Sequence, residues 1–256
     1  MVRGSYDHPM PLSHHPVAPR LGFIGGHGVM RAAAGASAKR AEHAGVPMLE
    51  TDAAVWLERH GLDTFTPAHR LDHVGNLDAL AAAGCDRVVA LSSVGSLRTD
   101  WPVGTVVSPD DFFAPGTCPS RFNDARGHSV PGFDLAWRAE VVSVWSGATS
   151  TPLIDGGVYG QTSGPRLETP AEVRALARDA DIVGMTVASE CIVAAETGLA
   201  YAVVCVVDNL ANGLEPTRLT MEEYAVGAAA NRDRLVADVE AVIPLLARSN
   251  RWEIRR

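Results

Sequence analysis

The run from Tyr201 to Val207 (YAVVCVV) contains no charged or amide side chain and stops abruptly at Asp208-Asn209. A strand with one wet face alternates apolar and polar residues. This run does not alternate, so it needs cover on both faces. It is far shorter than the ~18 residues of a membrane span. Val88–Leu91 and Leu21–Ile24 are likewise free of charged and amide side chains. Helix-like segments separate such runs along the chain. The pattern predicts an α/β fold in one domain: a twisted, mostly parallel mixed sheet flanked by helices.

The element boundaries follow from local signals. Leu21–Ile24 ends in Gly25-Gly26-His27-Gly28, and an Ala-rich stretch runs from Met30 to Ala44. Ala53–Leu57 reads as a strand closed by Arg59-His60-Gly61. The β-rich run Arg87–Leu91 is expected to end at Ser92-Ser93-Val94-Gly95-Ser96, and Gly104–Ser108 forms another strand. Pro115–Pro131 reads as a long loop, and Phe133–Trp145 as a helix. Thr169-Pro170-Ala171-Glu172 has a Thr cap, Pro at the first helical position and Glu at the third, which marks a helix start. Asp181–Met185 is a strand, and Ser189–Glu196 a helix capped by Ser189. The last helix is expected from Thr220 to about Val242, just short of Pro244.

Composition narrows the function classes. Hydrophobic residues at 46% permit a large core, and a net charge of −8 argues against a general nucleic-acid binder. Cys85, Cys118, Cys191 and Cys205 show no paired CxxC spacing, so reduced thiols are expected rather than zinc or a disulfide framework. Residues 1–20, rich in His, Pro and Ser, lack the apolar centre of a signal peptide. They are read as a flexible N-terminal arm before a domain spanning 21–256. A cytoplasmic protein with no membrane contact is the expectation.

Three polar islands interrupt the apolar background: SGPRLET (Ser163–Thr169), GMTVASE (Gly184–Glu190) and VVDNLANG (Val206–Gly213). Each follows a strand-like run, where α/β proteins place small-molecule sites. Their carboxylate, hydroxyls, amide and methionine suit a neutral ligand rich in heteroatoms. The glycine loop has three readings. One is a dinucleotide fingerprint with Glu50 as ribose acid, although the spacing is not GxGxxG and Pro47 breaks the strand that would carry Glu50. The second is a plain turn. The third, favoured here, is an anion-binding loop of unobstructed N–H groups.

Taken in order, GFIGGHG, LERHG, SSVGSL, GVYGQTSGPRLET, DIVGMT and VVDNLANG resemble the trimeric purine nucleoside phosphorylase and methylthioadenosine phosphorylase family. TSGPRLETPAE, DIVGMT and LTMEE bring the chain nearest to its methylthioinosine phosphorylases. The likeness spans Leu21–Leu246. It implies phosphorolysis: phosphate attacks the anomeric carbon, the purine departs, and a ribose 1-phosphate remains. Phosphate is then a co-substrate, and neither cofactor nor metal is required. A homotrimer or a dimer of trimers is implied.

The resemblance also assigns residues. Gly26, His27, Gly28, Arg59, His60, Ser92 and Thr186 would hold phosphate, with His27 standing where the family usually has Ser or Thr. Ser93 would belong to the substrate pocket, and Met185 would pack beneath the sugar. Met221 would face the 5′ substituent, where members that prefer a free 5′-hydroxyl carry His. His128 would reach a neighbouring subunit's 5′ pocket. Leu167 replaces a stacking Phe, and Ser189 replaces a Pro. Glu168 would accept from N1–H of a 6-oxopurine, and Asn209 would donate to O6 and accept from N7–H. Ala211 stands where adenine-specific members have Asp. Catalysis would rest on Asn209, Glu168 and Arg59. Read alone, Glu168 also fits a helix-dipole acid and Asn209 a turn amide. Asp208 is the competing base contact, and a one-residue slip would restore adenine. The alternatives are a methylthioadenosine phosphorylase, a nucleoside hydrolase using water, and a non-catalytic nucleoside or dinucleotide binder.

Overall fold

The computed structural model describes residues 20–26, 28–216 and 219–249. The N-terminal arm and His27 lie outside the described residues. In chain order the elements are β1 (Arg20–Gly25), α1 (Val29–Ala34), β2 (Lys39–His43), β3 (Val46–Glu50), β4 (Ala54–Glu58), α2 (His73–Ala82), β5 (Cys85–Ser96), β6 (Val106–Ser108), β7 (Asp111–Phe113), α3 (Leu135–Ala148), β8 (Leu153–Asp155), β9 (Val158–Gln161), α4 (Pro170–Leu176), β10 (Ile182–Gly184), α5 (Val187–Thr197), β11 (Ala200–Leu210) and α6 (Met221–Arg248).

The strands join one mixed sheet. Its main path runs β2-β3-β4-β1-β5-β10-β9-β7, and β11 branches from β5 to carry β6 and β8. The centre, β4-β1-β5-β11, is parallel. Along β11 the side chains divide between two cores. Val203, Cys205 and Val207 pack with Leu77 and Leu80 of α2 and Val187 and Cys191 of α5. Ala202, Val204 and Val206 pack with Trp137 and Val141 of α3 and Leu235 and Val239 of α6. This two-sided burial is why the strand has no polar alternation.

Local chemistry sets most element ends as expected. Thr169 and Glu172 form a reciprocal capping box behind Pro170, and Thr220 and Glu223 form another at α6. Four expectations are corrected. β5 continues through Ser92–Ser96, because β11 and β10 pair with that stretch. α5 begins at Val187 with Thr186 at its N-cap, so Ser189 is no cap. Its backbone N–H and hydroxyl instead engage Gln161, at 3.1 and 2.6 Å. α6 runs through Pro244 to Arg248. Proline frees the carbonyl four residues back, on exposed Glu240, while Val242, Ile243 and Leu246 stay buried and hold the helix on the core. Lastly, Pro47 does sit in a strand, β3. It pairs with β2, but the pairing with β4 starts only at Leu49. The missing N–H therefore breaks no ladder there.

Two features position the site. In the β11–β5 register, Val207 faces Val94 and Asn209 faces Gly95, so Asp208 is the extra residue of a β-bulge. α6 crosses directly over this bulge. A Cβ on Gly227 would fall inside the Asp208 carbonyl oxygen, so helix backbone meets strand backbone without a side chain between them.

Candidate active site

A cavity of about 590 Å³ opens where β1, β4, β10 and β11 end along the second half of β5, with α6 as its outer wall. That volume falls in the range of small-molecule sites. The three polar islands converge on it: Leu167 and Glu168 from the first, Met185 and Thr186 from the second, Asp208 and Asn209 from the third. Gly26, Arg59, His60, Ser92, Ser93 and Met221 also line it.

Arg59 follows β4 and is 4% exposed. Its Nε and Nη2 donate to the two oxygens of Glu190 at 2.5 and 3.0 Å, and its Nη1 donates to the Leu91 carbonyl at 2.9 Å. Two of the five guanidinium N–H groups remain for the cavity. Glu190 is itself buried and accepts from the Tyr201 hydroxyl at 2.6 Å. Burial pushes the Glu190 pKa up, but the charge and hydrogen bonds of Arg59 outweigh it and leave the carboxyl below its ordinary value. The pair is therefore ionised and neutral in sum.

His60 donates from Nδ1 to the Thr66 carbonyl at 2.8 Å and stacks on Phe65 with ring centroids 5.2 Å apart. Thr186 makes no side-chain cap bond at the start of α5, and it lines the cavity. Ser92 is 4% exposed at the cavity wall.

The bulge sorts the adjacent acid and amide. Asp208 is 3% exposed, and both its oxygens accept from the protein: Oδ1 from Asn231 Nδ2 at 2.7 Å, Oδ2 from the Ser93 hydroxyl. Asn209 lies against Gly95, and its Nδ2 donates to the Leu210 carbonyl at 2.9 Å. Its Oδ1 and second N–H are not engaged by any described residue. Glu168 is 7% exposed and accepts from the Thr162 hydroxyl at Oε1, 2.6 Å away.

Several expected residues stand elsewhere. Ala211 does not line the cavity; it packs with Leu97, Val173, Ala180 and Val183. Its amide is tied to the Ser96 carbonyl at 2.8 Å, which turns the chain away from the site. Gly28 is not among the residues that line the cavity; a Cβ on it would meet Arg232, which does line it. His128 is exposed on the long loop, outside the cavity of its own chain. Glu50 cannot serve as a ribose acid, because it pairs with Arg20 and His43 at 3.1 and 2.9 Å. Sequence reasoning missed the α6 wall: Tyr224, Ala225, Ala228, Ala229 and Arg232. Their i, i+1, i+4, i+5, i+8 spacing marks one helix face, and that spacing was the available signal.

Comparison with known proteins fits this geometry. Residues 34–244 match the model of the phosphorylase superfamily. The chain belongs to that superfamily. It is 38% identical to a probable 6-oxopurine nucleoside phosphorylase of Archaeoglobus fulgidus, over 73% of this chain and 77% of that protein. The 6-oxopurine nucleoside phosphorylase of Pyrococcus furiosus is 31% identical, covering 91% and 95%. A probable S-methyl-5′-thioinosine phosphorylase of Methanothermobacter thermautotrophicus is 33% identical, covering 73% and 67%. These relatives place this phosphorylase among the purine nucleoside phosphorylases, as the motifs suggested. Its fold matches a methylthioadenosine phosphorylase from Schistosoma mansoni with a TM-score of 0.76, at 18% identity over 91% and 93% of the two chains.

Proposed function

We propose that this phosphorylase cleaves 6-oxopurine nucleosides, 5′-methylthioinosine or inosine and guanosine, releasing the free base and a ribose 1-phosphate or its methylthio analogue. The observation that carries the reading is the bulge at Asp208. With that carboxylate held by Ser93 and Asn231, the amide of Asn209 is the group at the β11 end with donor and acceptor capacity for a ligand. An amide donates to O6 and accepts from a protonated N7. Glu168, with Oε2 available, accepts from N1–H. The names of the relatives support the same substrate class.

In this reading phosphate sits among the Gly26 loop, Arg59, His60, Ser92 and Thr186, below the sugar. Its oxygen attacks C1′ as the bond from C1′ to the purine nitrogen breaks, and the bonding pair moves into the base. Charge develops positive on the sugar and negative on the purine. Phosphate faces the first, and the Asn209 amide stabilises the second. Met185 packs beneath the ribose. Met221 and the alanines of α6 form an apolar wall suited to a 5′-methylthio group, which needs no hydrogen-bond partner. The family likeness of the motifs supports assembly into a trimer in which His128, exposed on its long loop, approaches a neighbour's sugar pocket.

A panel of inosine, guanosine, adenosine and their 5′-methylthio analogues, assayed with and without phosphate, tests the reading. Hypoxanthine or guanine release that requires phosphate is expected. Release of adenine alone would overturn the base assignment, and equal turnover without phosphate would make the enzyme a hydrolase.

A further inference from the structure

The glycine loop is bracketed by two basic side chains. A Cβ on Gly26 would lie 3.3 Å from the His60 ring, and one on Gly28 would lie 3.5 Å from Nη2 of Arg232. Arg232 projects from the middle of α6, on the face that carries Tyr224, Ala225 and Ala228, and lines the cavity with them. It makes no hydrogen bond or ion pair with any described residue. Such a guanidinium stands ready for a ligand.

Charge balance gives it a task. Glu190 compensates Arg59 within hydrogen-bond distance, so the pair brings directional donors and little net charge. The acidic side chains on the cavity wall are Glu168 and Asp208. An inorganic phosphate entering this cavity needs a positive group that no carboxylate has already neutralised. Among the described cavity residues, Arg232 is the arginine of that kind. Its planar fork matches two oxygens of an oxyanion.

We propose that Arg232 is a phosphate-binding residue, supplying the net positive charge that the Arg59–Glu190 pair withholds. The assignment rests on the phosphorolysis reading for its role in turnover, but not for binding itself. The test is calorimetric titration of inorganic phosphate into the wild-type protein, R232A and R232K, with the Michaelis constants for phosphate and nucleoside measured separately. Arg232 is exposed and has no partner among the described residues, so thermal melting should match across the three proteins.

Loss of a charge-assisted contact predicts phosphate binding weakened roughly 10-fold or more in R232A, with partial recovery in R232K. The phosphate Michaelis constant should rise in step while that for nucleoside holds. Equal phosphate affinity in wild type and R232A overturns the proposal. So does a loss confined to the nucleoside constant, which would put Arg232 at the 5′ end of the sugar. Wild-type protein that binds no phosphate also overturns it. Phosphate binding that depends on Arg232 without any nucleoside cleavage supports Arg232 and defeats the phosphorolysis reading.

Discussion

Asp208 and Asn209 are neighbours in sequence with opposite fates. The acid is spent inside the protein on Ser93 and Asn231; the amide keeps valence for a ligand. Asn209→Ala should therefore lower kcat by ~10²-fold or more, since its hydrogen bonds strengthen as the purine departs. Steady-state assays of hypoxanthine release check this, and unchanged turnover would remove Asn209 from the mechanism. Glu168→Gln exchanges an acceptor for an amide that can also donate. It should depress 6-oxopurine release by about 10-fold or more and spare residual adenine release. Equal losses on both bases would count against an N1–H contact. The sequence favoured Asn209 through the family likeness and left Asp208 as the contact if the register slipped by one. Settling the register needs the bulge, and a bulge depends on how β5 pairs with β11, which no local pattern along β11 records. Ala211 shows the same limit: counting along the strand placed it at the base, and its amide bond to Ser96 takes it elsewhere.

Among the elements, the central strands and capped helices were legible because burial on both faces and capping boxes leave local signatures. Pairing-dependent features were not. Ser92–Gly95 looks like a turn in isolation and becomes strand only with two partners. Pro244 looks like a stop, yet α6 passes it, with Val242, Ile243 and Leu246 buried on either side. The link from β4 to α5 through Arg59 and Glu190 was equally invisible, being 131 residues apart in the chain. Glu190→Gln should leave a buried guanidinium uncompensated and cost about 3 kcal/mol or more in chemical denaturation. Tyr201→Phe removes one hydrogen bond to the same carboxylate and should cost about 1–2 kcal/mol. If both variants cost the same small amount, the pair does not organise this corner of the fold.

For the whole molecule, acid should weaken the fold from two directions of the same sign. Burial lowers the pKa of His73 below its ordinary 6.5, so the unfolded chain takes up that proton first as pH falls. Glu190, held below its ordinary 4.5 by Arg59 against the opposing effect of burial, likewise favours the unfolded chain once protonation begins. Stability contributed by His73 is thus present above about pH 6.5 and declines below it; that from Glu190 is lost later, as pH drops from near 4.5 through its folded pKa. Unfolding midpoints recorded between about pH 7.5 and 5 should fall, and His73→Gln should flatten that slope. An unaltered slope in the variant would remove His73 as its source. Sedimentation of the purified protein should report a trimer or a multiple of three; a monomer at assay concentration would separate catalysis from the neighbour's His128.

At Gly227 the helix and the bulged strand touch through their backbones alone. The cavity therefore has a fixed ceiling height. Selection for a bulkier or smaller sugar cannot act by sliding α6 toward the sheet, because no side chain there remains to be trimmed. Adaptation is channelled into the alanine tiles of the same face. Enlarging Ala225 or Ala228 should narrow the range of tolerated 5′ groups, while even a methyl at Gly227 should warp the whole chamber.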